Sequence, residues 1–148
     1  MRIALSADHA GYELKDLLTA WLAEEGHEVV DLGTNSGESV DYPDYGYAIA
    51  EALRDGRVER GVALCGSGIG ISIAVNRHPK CRCARVDDPI SAALAREHND
   101  ANVLALGARL IGPDMAKACV AAFLGAEFAA GRHQRRVDQL STLLQDSD

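Results

Sequence analysis

The chain has 148 residues, 47% hydrophobic and 25% charged, the length and make-up of one folded domain and not of a disordered polypeptide. Its net charge of −7 provides no basic footprint for nucleic acid, and no apolar run approaches the ~18 residues of a membrane span. Residues 1–5 do not read as a secretory leader, and Cys65, Cys81, Cys83 and Cys119 form no Cys-x-x-Cys pair, so a cytoplasmic protein with reduced thiols is expected.

The elements alternate along the chain. Residues 2–6 predict a strand, followed by a helix with Leu14, Leu17, Leu18, Trp21 and Leu22 at helical spacing and Gly26 as its stop. Residues 28–32 predict a second strand and residues 33–39 a polar loop that closes on Asp41, Tyr42, Pro43, Asp44 and Tyr45. Ile49, Ala52 and Leu53 mark a helix that stops at Asp55 and Gly56. A third strand over 61–64 delivers Cys65 to its end, and a helix containing Ile73, Ala74 and Val75 follows. Residues 82–86 predict a fourth strand, and Asp87, Asp88 and Pro89 cap a helix running to about His98. Residues 103–106 predict a fifth strand, Gly112 and Pro113 open a long helix, and a last helix covers about 134–145.

Five βα units with short apolar strands imply a single α/β domain over 1–148, a parallel sheet with helices on both faces. Ligands of such sheets bind beyond the carboxyl ends of the strands. That edge should gather Asp8, His9, the loop 65–70, Asp87, Asp88 and the segment after Leu106.

The loop Cys65, Gly66, Ser67, Gly68, Ile69, Gly70 carries the strongest chemical signal. Glycines at alternate positions let backbone N–H groups converge on an anion at a helix start. No Gly-Lys-Ser/Thr follows, so it is not a P-loop, and Ile71 stands where a dinucleotide fingerprint needs glycine. The plain alternative is a tight strand-to-helix turn. Cys65 sits at the mouth of this loop, where a helix start lowers a thiol pKa and suits it to be a base or nucleophile. The other three cysteines read as core. His9 and His98 fit no compact ligand motif, so no metal site is expected. Arg109 follows the fifth strand, and Arg132, His133, Arg135 and Arg136 make a basic knot in an acidic chain, which invites an anionic ligand.

Five short motifs occur in order: residues 8–11 (Asp-His-Ala-Gly), 41–43 (Asp-Tyr-Pro), 65–72, 98–104 (from His98, Asn99 and Asp100) and 131–134. Together they resemble the ribose-5-phosphate isomerase B family, which includes the galactose-6-phosphate isomerase subunits, over nearly the whole chain. The resemblance implies a Rossmann-like three-layer αβα sandwich with a five-stranded parallel sheet. It implies a homodimer, in some members a tetramer, with the active site completed across the subunit interface and the last helix packed on the partner. The implied reaction is cofactor-free and metal-free interconversion of ribose 5-phosphate and ribulose 5-phosphate. Cys65 would be the general base, Ser67 would steady the enediolate, and His98 would assist ring opening. Gly66, Ser67, Gly68, Ile69 and Gly70 would hold the enediolate oxygens, and Asp8, His9 and Asn99 would contact the sugar. Arg109, Arg132 and Arg136 would bind the phosphate, the last two from the partner, with Tyr42 and His133 as further contacts.

Ile71 occupies the place where one branch of the family has a glutamate base, so this chain falls in the cysteine type. Ser67 keeps the hydroxyl, but not the methyl, of the threonine common there. An isomerase tuned to a hexose 6-phosphate would keep the same residues in a deeper pocket, and a non-catalytic sugar-phosphate sensor would have no use for Cys65. A nicotinamide-dependent dehydrogenase would need the missing fingerprint.

Overall fold

The computed structural model describes residues 1–142; Leu143, Leu144 and the polar end of the chain, which the predicted last helix enters, lie outside the described residues. The strands are β1 (Arg2–Ala7), β2 (Glu28–Asp31), β3 (Arg60–Cys65), β4 (Cys83–Arg85) and β5 (Val103–Gly107). They form one parallel sheet in the order β2-β1-β3-β5-β4. The helices are α1 (Tyr12–Glu24), α2 (Tyr42–Arg54), α3 (Ile69–Val75), α4 (Pro89–Asn99), α5 (Pro113–Gly125) and α6 (Gln134–Leu140), with a 3₁₀ turn over Gly131–His133. No helix among the described residues is long and apolar enough to cross a membrane.

Burial of both sheet faces explains the unbroken apolar runs of β1, β3 and β5. Ile3, Leu5, Leu64 and Leu106 face a core closed by α1, α4 and α5, centred on Phe123. Ala4, Ala63, Cys65 and Ala105 face a smaller core closed by Ile49 of α2 and by Ile71 and Val75 of α3. The chain is therefore a three-layer αβα sandwich.

Local chemistry sets the boundaries. Asp88 caps α4 by accepting the Ser91 N–H at 2.7 Å, with Pro89 in the first turn, where its missing N–H costs nothing. The Asp-Tyr-Pro segment, expected as loop, instead opens α2 for the same reason: Pro43 sits in the first turn. Helix α3 is only seven residues long. Beyond it, the Asn76 side chain accepts from the Cys83 N–H at 2.7 Å and donates to the Cys83 carbonyl at 2.9 Å, tying the chain to β4.

One buried ion pair organises the β1–β2 end. Lys15 has no exposed surface, and its Nζ donates to both Asp31 oxygens at 2.8 Å and to Asp16 at 2.8 Å. Asp31 in turn accepts the Gly33 N–H at 2.9 Å, while Gly33 and Thr34 exchange 2.8 Å backbone bonds with Ala7. The pair thus holds the turn after β2 against the residue that precedes Asp8. Burial pulls the Lys15 pKa down, but Asp16 and Asp31 more than offset it and leave it raised. A raised lysine keeps its contribution through neutral pH and loses it only as pH climbs through the elevated value. Asp31→Ala leaves the buried ammonium with Asp16 as its remaining carboxylate and should cost about 2–4 kcal/mol in urea unfolding, whereas Lys15→Met leaves a partly solvated carboxylate and should cost about 1–2. The reverse order would contradict this account of the pair.

Candidate active site

The order in which strands are added reverses between β1 and β3: β2 lies on one side of β1, and β3, β5 and β4 lie on the other. At that switch point, beyond the carboxyl ends, opens a cleft of about 380 Å³ lined by Asp8, Tyr42, Cys65, Gly66, Ser67, Gly70 and Arg109 among others. A larger cavity of about 440 Å³ runs along β4 and is lined by Cys81, Arg82, Asn99 and Leu140, away from Cys65.

The Cys65 thiol is only 4% exposed and lies at the end of β3. Its Sγ accepts the Gly68 N–H at 3.1 Å. Gly68 has φ +75°, and a Cβ there would stand 2.7 Å from the Leu106 carbonyl carbon, so the turn requires glycine. The Ile69 N–H donates to Ser67 Oγ at 3.2 Å. Two donors of the expected anion cradle are therefore committed inside the loop. The N–H groups of Ser67 and Gly70 have no backbone partner outside regular elements among the described residues and remain for a ligand. The Ile69 side chain, 52% exposed, points away into solvent.

Asp8 uses Oδ1 to accept the N–H groups of Ala10 and Gly11 at 3.0 and 3.3 Å, which fixes the carboxylate at the start of α1. His9 Nδ1 accepts the Val40 N–H at 3.2 Å, so the neutral ring carries its proton on Nε2. Arg109 passes over Gly66, where a Cβ would meet its Cδ and Nη1 at 3.3 Å, and it makes no ion pair among the described residues. Tyr42 packs on Gly70 more closely still, its ring 2.7 Å from where a Cβ would stand. These contacts make a cationic, donor-rich wall around one thiol.

The remaining predicted residues gather elsewhere. Helix α4 runs back across the sheet after β4 and leaves His98 and Asn99 just before β5 begins, at the amino edge. Strands of five and six residues separate that edge from Cys65, a span of roughly 17–20 Å. Asp100, at φ +46°, fixes the turn by accepting from Arg82 at 3.1 Å and Arg96 at 2.9 Å. The His98 and His133 rings stack with centroids 4.4 Å apart, and the Ala129 N–H bonds the Glu97 carbonyl at 3.0 Å. His98, Asn99, Arg132, His133 and Arg136 thus form a second cluster, with Arg132 in the 3₁₀ turn and Arg136 in α6. Partial burial, then the charges of His98, Arg132 and Arg136, hold His133 below the ordinary imidazole value.

The sequence and the fold have counterparts among known proteins. A sequence profile described as Ribose/Galactose Isomerase matches residues 3–140. The chain belongs to the ribose/galactose isomerase family. The Escherichia coli protein called ribose-5-phosphate isomerase B is 46% identical over 144 residues, 97% of each chain. A Pectobacterium atrosepticum relative called D-erythrulose-4-phosphate isomerase is 42% identical over 141 residues, 95% of this chain and 93% of that one. The structure of Clostridium thermocellum ribose-5-phosphate isomerase B superposes with a TM-score of 0.94 at 48% identity, covering 95% of both chains. As a ribose/galactose isomerase family member, the chain is a sugar-phosphate isomerase.

Sequence reading did not single out Arg85, whose Nε donates to the Ser67 carbonyl at 2.9 Å. The available signal was a charged residue at the end of an otherwise apolar strand, two positions before Asp87. The other thiols are poor nucleophiles: burial pushes Cys81 up to about 11 and Cys83 higher still, and burial with Asp88 and Asp87 raises Cys119. At about pH 8, iodoacetamide should therefore label Cys65 first, as read by peptide mass spectrometry. Equal early labelling of Cys81 would contradict the assignment.

Proposed function

We propose that the chain interconverts D-ribose 5-phosphate and D-ribulose 5-phosphate in a homodimer, with Cys65 as general base. The observation that carries this reading is one cleft that holds both a thiol bonded by the Gly68 N–H and the Arg109 cation, which makes no ion pair among the described residues. The thiolate takes the C2 proton of the open-chain aldose, the C2–H pair forms the C1=C2 bond of the enediolate as the C1=O1 pair moves onto O1, and the proton then returns to C1 as the O2 pair forms the C2 carbonyl. The hydroxyl proton on O2 passes to O1, so the substrate and product are isomers and no oxidant is needed. A base of this kind contributes about 10²–10⁴ in rate. The N–H groups of Ser67 and Gly70, with the Ser67 hydroxyl, suit the enediolate oxygens, and Asp8 with His9 Nε2 suits the sugar hydroxyls.

The second cluster supplies what the cleft lacks. His98 is suited to move the proton that opens the furanose ring, Asn99 to bind the sugar, and Arg132 with Arg136 to hold a phosphate dianion. The two clusters stand at opposite edges of one sheet, so they meet only between two copies of the chain. Two-fold symmetry then makes two equivalent sites, each with Cys65 of one chain and His98 of the other. The single domain reaches its partner through α6 in this reading, and a tetramer of such dimers would leave the sites unchanged.

A second reading keeps the chemistry and changes the sugar. The relative named for D-erythrulose 4-phosphate shows that one scaffold serves chains of different length, so a hexose 6-phosphate competes with the pentose. Initial rates on ribose, allose and galactose phosphates decide, and a clear hexose preference overturns the pentose assignment.

Loss of the base in Cys65→Ala should lower kcat by about 10²–10⁴ with ribose 5-phosphate still bound. His98→Asn should also be impaired. Chains of the two variants, mixed and refolded together, should recover about a quarter of wild-type activity, because half of the dimers are hybrid and each hybrid holds one intact site. Mixtures no better than the single variants would place Cys65 and His98 in one chain's site or remove one of them from it.

A further inference from the structure

We propose that Arg85 is a positioning residue that sets the thiolate character of Cys65 through a single peptide group. This deepens the reading of Cys65 as base and rests on it.

Register places Arg85 on β4 opposite Ala105 and Cys65 on β3 opposite Gly107, with β5 between them. The loop after β3 folds over the end of β5, so closely that a Cβ on Gly107 would stand 2.7 Å from the Ser67 carbonyl oxygen. Arg85 reaches across this point, and its Nε–H donates to that same oxygen at 2.9 Å. The other half of the same peptide is the Gly68 N–H, which donates to Cys65 Sγ at 3.1 Å. In a trans peptide, C=O and N–H point in opposite directions. Holding the oxygen toward Arg85 therefore aims the hydrogen at the sulfur. A charged donor on the oxygen also polarises the amide and strengthens its N–H as a donor.

Asp87 completes the device. It pairs with Arg85 Nη1, so the guanidinium is anchored and its charge is largely balanced. The effect on the sulfur then comes mainly through the peptide and less through a bare cation. The other titratable groups near Cys65 are Asp8 after β1, Tyr42 and Tyr45 of α2, Arg109 after β5, and Cys81 and Cys83 in the same apolar cluster. In the proposed dimer, His98 of the partner subunit joins them. None of these bonds the Ser67–Gly68 peptide.

The test reads the thiolate without turnover. Iodoacetamide labelling of Cys65 is followed from pH 5 to pH 10 by peptide mass spectrometry on the full chain. Arg85→Met keeps the aliphatic stem and removes the donor, and its labelling midpoint should rise by roughly 0.5–1 pH unit. Arg85→Lys, which retains a charge and a donor, should recover part of that rise. Should Arg85→Met fail to fold, as judged by circular dichroism, Arg85→Gln replaces it with the same expected direction. An Arg85→Met midpoint that superimposes on wild type overturns the proposal. The midpoint of the ascending limb of the kcat–pH profile should move up in step with the labelling midpoint. If labelling moves and kcat does not, Arg85 still sets the thiolate, and the reading of Cys65 as base is what fails.

Discussion

The turn after β3 lies in backbone contact with the end of β5, and the geometry of the site depends on that contact. Gly68 stands where a side chain would enter the Leu106 carbonyl, and Gly107 where one would enter Ser67. The two glycines let separate strands bring their ends within van der Waals distance. That closeness allows one short helix start, one thiol and one guanidinium from a third strand to share a peptide group. A methyl at either glycine would force the turn outward. The first bond to fail would be the 3.1 Å contact from Gly68 N–H to Cys65 Sγ.

The same architecture that assembles one cluster keeps the other apart. A parallel sheet sends all strand ends to one edge and all strand starts to the other. Residues just after a strand and residues just before one therefore cannot meet within a chain. Asp8, Cys65, Ser67 and Arg109 follow strands, whereas His98 and Asn99 precede one. Reaction chemistry that needs both groups makes association a requirement of function under the proposed reading. Several exposed apolar side chains agree with such a need. Ile69 and Ile73 stand one turn apart on α3, and Ile90 and Leu94 one turn apart on α4, all at least 40% exposed. Exposed apolar pairs of this kind are what a second chain would cover.

Much of this was legible in the sequence, and the failures share a cause. Continuous apolar strands, glycine stops and proline starts give the order of elements, because each acts within a few residues. The motif residues were legible as a set for the same reason. What escaped were relations set by tertiary contact. Helical spacing put Leu17 on the buried face of α1, yet it is 37% exposed, and Lys15 beside it is fully buried. Asp31, arriving from β2, joins Asp16 in making the buried lysine tolerable. Arg85 reads as an ordinary strand residue until β5 is seen to lie between β4 and β3. The glycine loop read as an open cradle, because sequence does not tell which N–H groups the loop uses for itself.

Under the proposed function, what sets Cys65 apart from the other thiols is its hydrogen-bond partner and its place at the cleft. Cys65 is 4% exposed and Cys81 6%, so burial does not distinguish them. Burial without a donor pushes Cys81 up to about 11, because the charged form loses water and gains nothing in return. Cys65 receives an aimed N–H and faces a cleft whose wall carries Arg109. The difference lies in one peptide orientation. A site built this way is sensitive to residues that never touch the substrate, and it can be tuned from a strand two positions away in the sheet without disturbing the thiol's own packing.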